Sequence, residues 1–441
     1  MQTVVYCSIP GLRQSDLQHM PALSALTSGG DQQPLNTGFP AVTWPAQATM
    51  LTGKTPAEHG VVANGFYWRD EQRVEMWTAW NDKIQAPQIW DQLHQRSPDL
   101  TSAVWFPMLS KGCGADYICM PAPVHNPDGS ESLWCYTKPT ELYGELRDTW
   151  GHFPLQHFWG PLSNIKSTQW IVNSAVQALE KYNPRFSYLY LPHLDYAAQK
   201  QGPDSPAALE AVVELDGVLQ TLADGVHRSQ DPSKITWVFA SEYVISPVEH
   251  VTYPNRILRD AGLLQVKVED DGEHLDFDSA AWALVDHQFS HLFVKDGDAQ
   301  VVRRVAELFE SIPGIAEVLT QEDQAQRGLA HERSGEIILV SEPQSWQAYY
   351  WWLEDEKCPG FARTVDIHRK PGYDPVELYF DLETRSTPLD ATLIQGSHGA
   401  PGASASQQGV IVSNRAALLE GRAWQDLELS AMLIDEVCRS D

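Results

Sequence analysis

Short runs of β-branched and aromatic residues recur along the chain at wide spacing: Thr3–Ile9, Thr101–Phe106, Phe186–Leu191, Ile235–Ala240, His291–Lys295, Glu336–Val340 and Gly409–Ser413. Polar turns bound most of them. Stretches of helical periodicity lie between, among them Ser167–Tyr182, Pro206–His227, Pro254–Gly262, Asp298–Ser311 and Ala423–Cys438. Apolar strands alternating with amphipathic helices predict an α/β fold, with a mostly parallel central sheet covered by helices on both faces. In such a sheet chemistry is carried by loops at the carboxyl ends of strands, which directs attention to the loops after Ile9, Leu191 and Ala240. No internal repeat or low-complexity linker divides residues 1–441, which read as one domain. Two stretches, 107–166 and 345–395, break the rhythm and read as irregular insertions or lid walls. The second contains Tyr349–Trp352, a candidate pocket wall, and a crowd of polar groups from Asp366 to Asp374.

The most informative stretch is Phe39–Asn64, FPAVTWPAQATMLTGKTPAEHGVVAN. Thr43 stands where a helix N-cap is favoured, Pro45 is tolerated in a first turn, and Gly53 suits a helix stop, so a helix is predicted over Pro45–Leu51. Thr43 would then hold its hydroxyl where unpaired backbone N–H groups and the positive end of the helix dipole converge. That environment suits an anion, and a hydroxyl placed there could attack one.

Taken whole, this string resembles the nucleophile segment of the alkaline phosphatase superfamily, in its nucleotide pyrophosphatase/phosphodiesterase branch. The resemblance implies that Thr43 accepts a phosphoryl group and that Asn64 touches a phosphate oxygen. It also implies two metal ions, held by four strand-end loops. The first loop should end in Asp-Gly, but Cys7-Ser8-Ile9-Pro10-Gly11 puts Pro10 at the Asp position. The second keeps Asp195 and Gly202-Pro203 but has Gln199 where a His is expected. The third, Ser241-Glu242-Tyr243, offers a longer carboxylate and a phenol. The fourth, Gly396-Ser397-His398-Gly399, fits. Together with Tyr190–Tyr196 and Ile367–Pro375, these altered loops are similar to a bacterial branch usually labelled nucleotide pyrophosphatase-like, and the resemblance spans nearly the whole chain.

Amide and phenol groups are poor zinc ligands, so an ordinary two-zinc centre is not expected. If His193 and Asp195 share a strand they face the same side, and with Glu242 and His398 they could hold a single zinc, manganese or iron ion. Alternatively, these groups hydrogen-bond among themselves. Asp286-His287-Gln288 and His291 form a further histidine cluster, either structural or lining the site. Lys200, Arg369 and His368 are candidates for holding a substrate phosphate, and Glu242 and His398 for acid–base roles.

Composition narrows the partners. The chain carries 31 basic and 58 acidic residues, a formal net charge of −27. That balance argues against nucleic-acid and anionic-membrane binding, which draw on Lys and Arg, and no apolar run reaches membrane-spanning length. A small phosphorylated metabolite is the expected partner. Six scattered cysteines form no CxxC pair; Cys113 and Cys119 are the one pair close enough to consider, and free thiols with no evident leader at MQTVVYCSIPGL suggest the cytoplasm. The expectation is a hydrolase or phosphoryl-transfer enzyme of the phosphodiesterase/pyrophosphatase kind with a remodelled, metal-poor site. The alternatives are a metal-free enzyme of altered chemistry and a non-catalytic phosphate-ester binding protein.

Overall fold

The computed structural model describes residues 2–125, 131–402 and 408–439. Its centre is a nine-stranded sheet. Five strands in the middle run parallel, in the order Ile235–Ala240, Thr3–Ser8, Phe186–Tyr190, Ser102–Trp105 and Tyr117–Pro121. Antiparallel Gly409–Ser413 and Cys135–Lys138 flank them, and Asp31–Asn36 and Trp424–Gln425 complete one edge. The central strands are buried on both faces, which is why their sequences are almost unbroken apolar runs. Helices Ile165–Tyr182 and Pro206–Ser229 pack on each other, while Leu429–Cys438 packs on the helix Thr43–Thr52 and on the first strand. All share one core with the sheet.

The two strands expected at His291–Lys295 and Glu336–Val340 form, but not in this sheet. They belong to a four-stranded antiparallel sheet ordered Ala281–Asp286, Phe289–Val294, Ile337–Ser341, Ile315–Leu319, with a core of its own. A short apolar strand carries no mark of its partner, so the assignment to one parallel sheet was too simple. Residues 107–166 are also more regular than expected, since Tyr117–Pro121 and Cys135–Lys138 extend the central sheet. Tyr349, Tyr350, Trp351 and Trp352 are buried in the second core. All six cysteines are free, Cys113 and Cys119 included.

The register of the parallel strands sets up the site. Ser8 pairs with Tyr190 on one side and Ala240 on the other, so three carboxyl ends lie level. The loops that follow are stitched together: Ile9 N–H donates to Ala240 O at 2.9 Å, Gly11 N–H to Tyr243 O at 2.9 Å, and Leu191 N–H to Ser8 O at 3.0 Å.

Candidate functional site

Thr43 is the first residue of a ten-residue helix, Thr43–Thr52, with extended Val42 as the N-cap and Gly53 ending it in the left-handed conformation at φ 67°. The helix therefore begins two residues before the predicted start, and Thr43 does not cap it with its own side chain. Asn64 supplies that contact: its Oδ1 accepts from Trp44 N–H at 3.0 Å. Thr43 is thus left free to use its hydroxyl elsewhere. Its Oγ1 lies 3.2 Å from Tyr243 Oη, in a position only 6% exposed.

Four aromatic rings in contact form a column beside it, two stacked pairs joined by a tilted His398–His287 contact at 42°. Tyr243 lies on His398 at 3.7 Å with an interplanar angle of 2°. His398 follows on His287 at 3.9 Å, and His287 on Tyr373 at 3.6 Å. Tyr373 Oη then donates to Gln199 Oε1 at 2.6 Å. The column therefore runs from Thr43 to Gln199, through residues of four separate loops. Both imidazoles have a defined tautomer. His398 Nδ1–H donates to Ala41 O at 2.8 Å, and His287 Nδ1–H donates to Asp286 Oδ1 at 2.6 Å. Burial drives both imidazoles well below the ordinary histidine range, so both are neutral.

Asp286 joins this column to the Thr43 helix. Besides His287, it accepts from Asn64 N–H at 2.7 Å and Asn64 Nδ2 at 3.1 Å. His287 sits at φ 59° in the two-residue turn between Ala281–Asp286 and Phe289–Val294, a backbone region uncommon for residues other than glycine but enriched in Asn, Asp and His. The turn is held by Gln288 N–H, which donates to His398 O at 2.9 Å. The Gly396–Gly399 loop is equally tight: a Cβ at Gly396 would fall 2.2 Å from Ala198 O, and Gly399 has φ 119°.

Asp195 and Glu242 are both buried. Burial raises Asp195 to about 7, although neighbouring Gln199 and Tyr243 favour its carboxylate. It raises Glu242 to about 8, against hydrogen bonds to Oε1 from Ser8 Oγ (2.6 Å), Gln47 Nε2 (2.9 Å) and Tyr188 Oη (3.3 Å). Asp286 is raised to about 6 by the same cause.

His193 does not join the set. Residues His193–Gln201 form a helix and not a strand continuation, so residues two apart point in different directions. Its Nε2 lies 2.7 Å from Glu214 Oε2 on the next helix. His291 is structural, since Nε2–H donates to Val62 O and Nδ1 accepts from Gly335 N–H. Lys200 Nζ donates to Leu378 O and covers the Tyr379 ring. Arg369 is exposed over Phe361, and His368 Nδ1 lies 3.4 Å from Met76 O. Lys200, Arg369 and His368 thus meet Leu378 and Tyr379, Phe361 and Asp366, and Met76, respectively. Tyr373 and Ser8 carried no expected role in the sequence; the adjacency of Asp286 and His287 was the available signal for that pair.

A two-ion centre does not fit these residues. Pro10, Gln199 and Tyr243 stand at three ligand positions, and the Tyr243 phenol is itself the hydroxyl against Thr43. Among the described residues, the group of three or more His, Cys, Asp or Glu donors lying within 4.8 Å of one another is Glu269, Asp271 and His274, on a surface hairpin. Three buried atoms of the candidate set have no hydrogen-bond partner, namely Asp195 Oδ1, Glu242 Oε2 and His398 Nε2, the first and last 3.9 Å apart. Ligands of one tetrahedral ion with bonds of about 2 Å lie roughly 3.3 Å apart, so an ion held here would have to draw the two atoms together.

A strand-end site on a nine-stranded sheet, with a threonine at a helix N-terminus, defines an alkaline-phosphatase-like α/β fold. Phosphonoacetate hydrolase from Sinorhizobium meliloti, in complex with phosphonoacetate, shares it at TM-score 0.67 and 16% identity, covering 99% of this chain and 96% of that one. Murine ectonucleotide pyrophosphatase/phosphodiesterase 5, in complex with AMP, does so at TM-score 0.63 and 15% identity, covering 100% and 96%. The profile of the Type I phosphodiesterase / nucleotide pyrophosphatase family matches residues 4–374, and the chain belongs to that family. An uncharacterized pyrophosphatase/phosphodiesterase of Schizosaccharomyces pombe is 24% identical over 263 residues, 58% of this chain. The match spans 46% of that relative's length.

Proposed function

We propose that the chain is a phosphoester hydrolase or phosphoryl-transfer enzyme with a metal-poor site, acting on a small phosphorylated metabolite. The observation that carries this reading is the placement of Thr43 Oγ1 at a helix N-terminus, with Asn64 on the first turn, Glu242 and His398 in neighbouring loops and Asp195 in the first turn of the helix His193–Gln201. The hydroxyl is the attacking group, and the helix end and Asn64 favour the charge on phosphorus-bound oxygens. Asp195 and His398 face one another as acceptors, suited to orienting a water or to ligating one divalent ion. Free cysteines are consistent with a cytoplasmic setting, and among the described residues no helix is long and apolar enough to cross a membrane.

One observation favours a second reading. Thr43, Asp195, Glu242 and His398 are all at least nine-tenths buried, and the cationic candidates Lys200 and Arg369 are engaged elsewhere. A protein that holds a phosphate ester without turning it over would keep such a site. Hydrolysis of bis(p-nitrophenyl) phosphate by the purified protein, compared with Thr43→Ala, separates the two. Turnover lost in the variant supports the hydrolase. Absent turnover, with AMP binding that Thr43→Ala abolishes, supports the binding protein.

A further inference from the structure

We infer that Tyr243 is a further catalytic residue, its phenol holding the Thr43 hydroxyl in the attacking geometry. This rests on reading Thr43 as the group that meets phosphorus. Three observations converge on it. Tyr243 Oη is 3.2 Å from Thr43 Oγ1, and the side chain is fully buried. Its ring cannot swing away, because it lies flat on His398 at 3.7 Å, and His398 is pinned through Nδ1 to Ala41 O. Its backbone is pinned as well, since Tyr243 O accepts from Gly11 N–H at 2.9 Å, in the loop where Pro10 replaces an expected carboxylate.

Thr43 is β-branched and has few χ1 choices, so one hydrogen bond to a rigid partner selects its rotamer. The phenol is the more acidic of the two O–H groups. The phenol has one proton to give, to Thr43 Oγ1 or to neighbouring Asp195; given to Thr43, it leaves an oxygen lone pair of Thr43 available and the bond strengthens as negative charge develops on Oγ1. The phenol orients and polarises; no atom passes to or from the ring.

The test is Tyr243→Phe, which keeps the ring and its stack on His398 and removes only Oη. With bis(p-nitrophenyl) phosphate as probe, kcat falls about ten-fold or more while KM and the melting temperature stay close to wild type. An unchanged kcat, or a loss confined to KM, overturns the assignment. If the wild type does not turn the probe over, the hydrolase reading fails and the Tyr243 assignment is decided by AMP binding. Calorimetry of wild type, Thr43→Ala, Tyr243→Phe and the double variant then forms a cycle. A double variant binding no more weakly than either single variant supports a shared hydrogen bond to the ligand-facing hydroxyl. Additive losses, or no AMP binding by the wild type, overturn it.

Discussion

The rings of Tyr243 and His398 are parallel to within 2° and 3.7 Å apart. One comes from the loop after a central strand and the other from a glycine-bounded loop late in the chain, so their contact fixes two walls of the site at once. It also makes a phenol, and not an imidazole, the neighbour of Thr43. Aromatic packing thus holds these two loops together beside Thr43.

From the remaining Asp195–His398 pair, we expect at most one divalent ion per chain after extensive dialysis. Asp195→Ala should remove it, because the alanine takes away the carboxylate that faces His398 Nε2. Elemental analysis reads the stoichiometry directly, and two retained zinc ions would refute the expectation.

Asp286→Ala should destabilise the protein by about 3 kcal/mol or more, since Asn64 N–H, Asn64 Nδ2 and His287 Nδ1–H all lose their acceptor inside the protein. Chemical denaturation measures the loss. Nitrogen NMR of the histidines should show the fixed Nδ1–H tautomer of His287 in wild type and its loss in the variant.

Glu242 predicts a pH signature. Its folded pKa, raised to about 8 by burial, lies above the ordinary carboxyl value near 4.3. Between those values the folded state binds more protons than the unfolded one, so this group's contribution is full below the unfolded pKa and is lost as pH rises through the folded pKa. Glu242→Gln should therefore flatten the decline in melting temperature between about pH 4 and pH 8, with little difference from wild type at the acid end. Parallel curves for the two proteins would contradict this.

His193→Ala should leave metal content and AMP binding unchanged and destabilise the protein by about 1–3 kcal/mol, because the buried ring serves a contact with half-exposed Glu214. Loss of a bound ion in this variant would return His193 to the site.

We further propose that residues 1–441 unfold as one unit. The Asn64–Asp286 bonds tie the Thr43 segment to the second sheet within the site itself, so calorimetry should give a single transition. Two stable proteolytic fragments that fold independently would refute this.

The sequence by itself determined the parallel centre of the fold. Strands such as Ile235–Ala240 are buried on both faces, and only continuous apolar runs satisfy that condition. It also placed Thr43 at the N-terminal end of a helix, though as the cap of one starting two residues later than the observed helix, and it set Pro10, Gln199 and Tyr243 apart from the ligands that the family resemblance implies, because proline, amide and phenol chemistry is a property of residue type. Tertiary structure decided the rest. The turn from Tyr190 into the His193–Gln201 helix sent His193 to Glu214, since two residues of helix rotate a side chain to another face whereas two residues of strand do not. The antiparallel sheet carried Asp286 and His287 to Asn64, across 222 positions of sequence in the case of Asn64 and Asp286. The column from Tyr243 through His398 and His287 to Tyr373 likewise has no counterpart in local pattern. Ring stacking depends on where loops meet, and loops distant in sequence meet only once the sheets beneath them have paired.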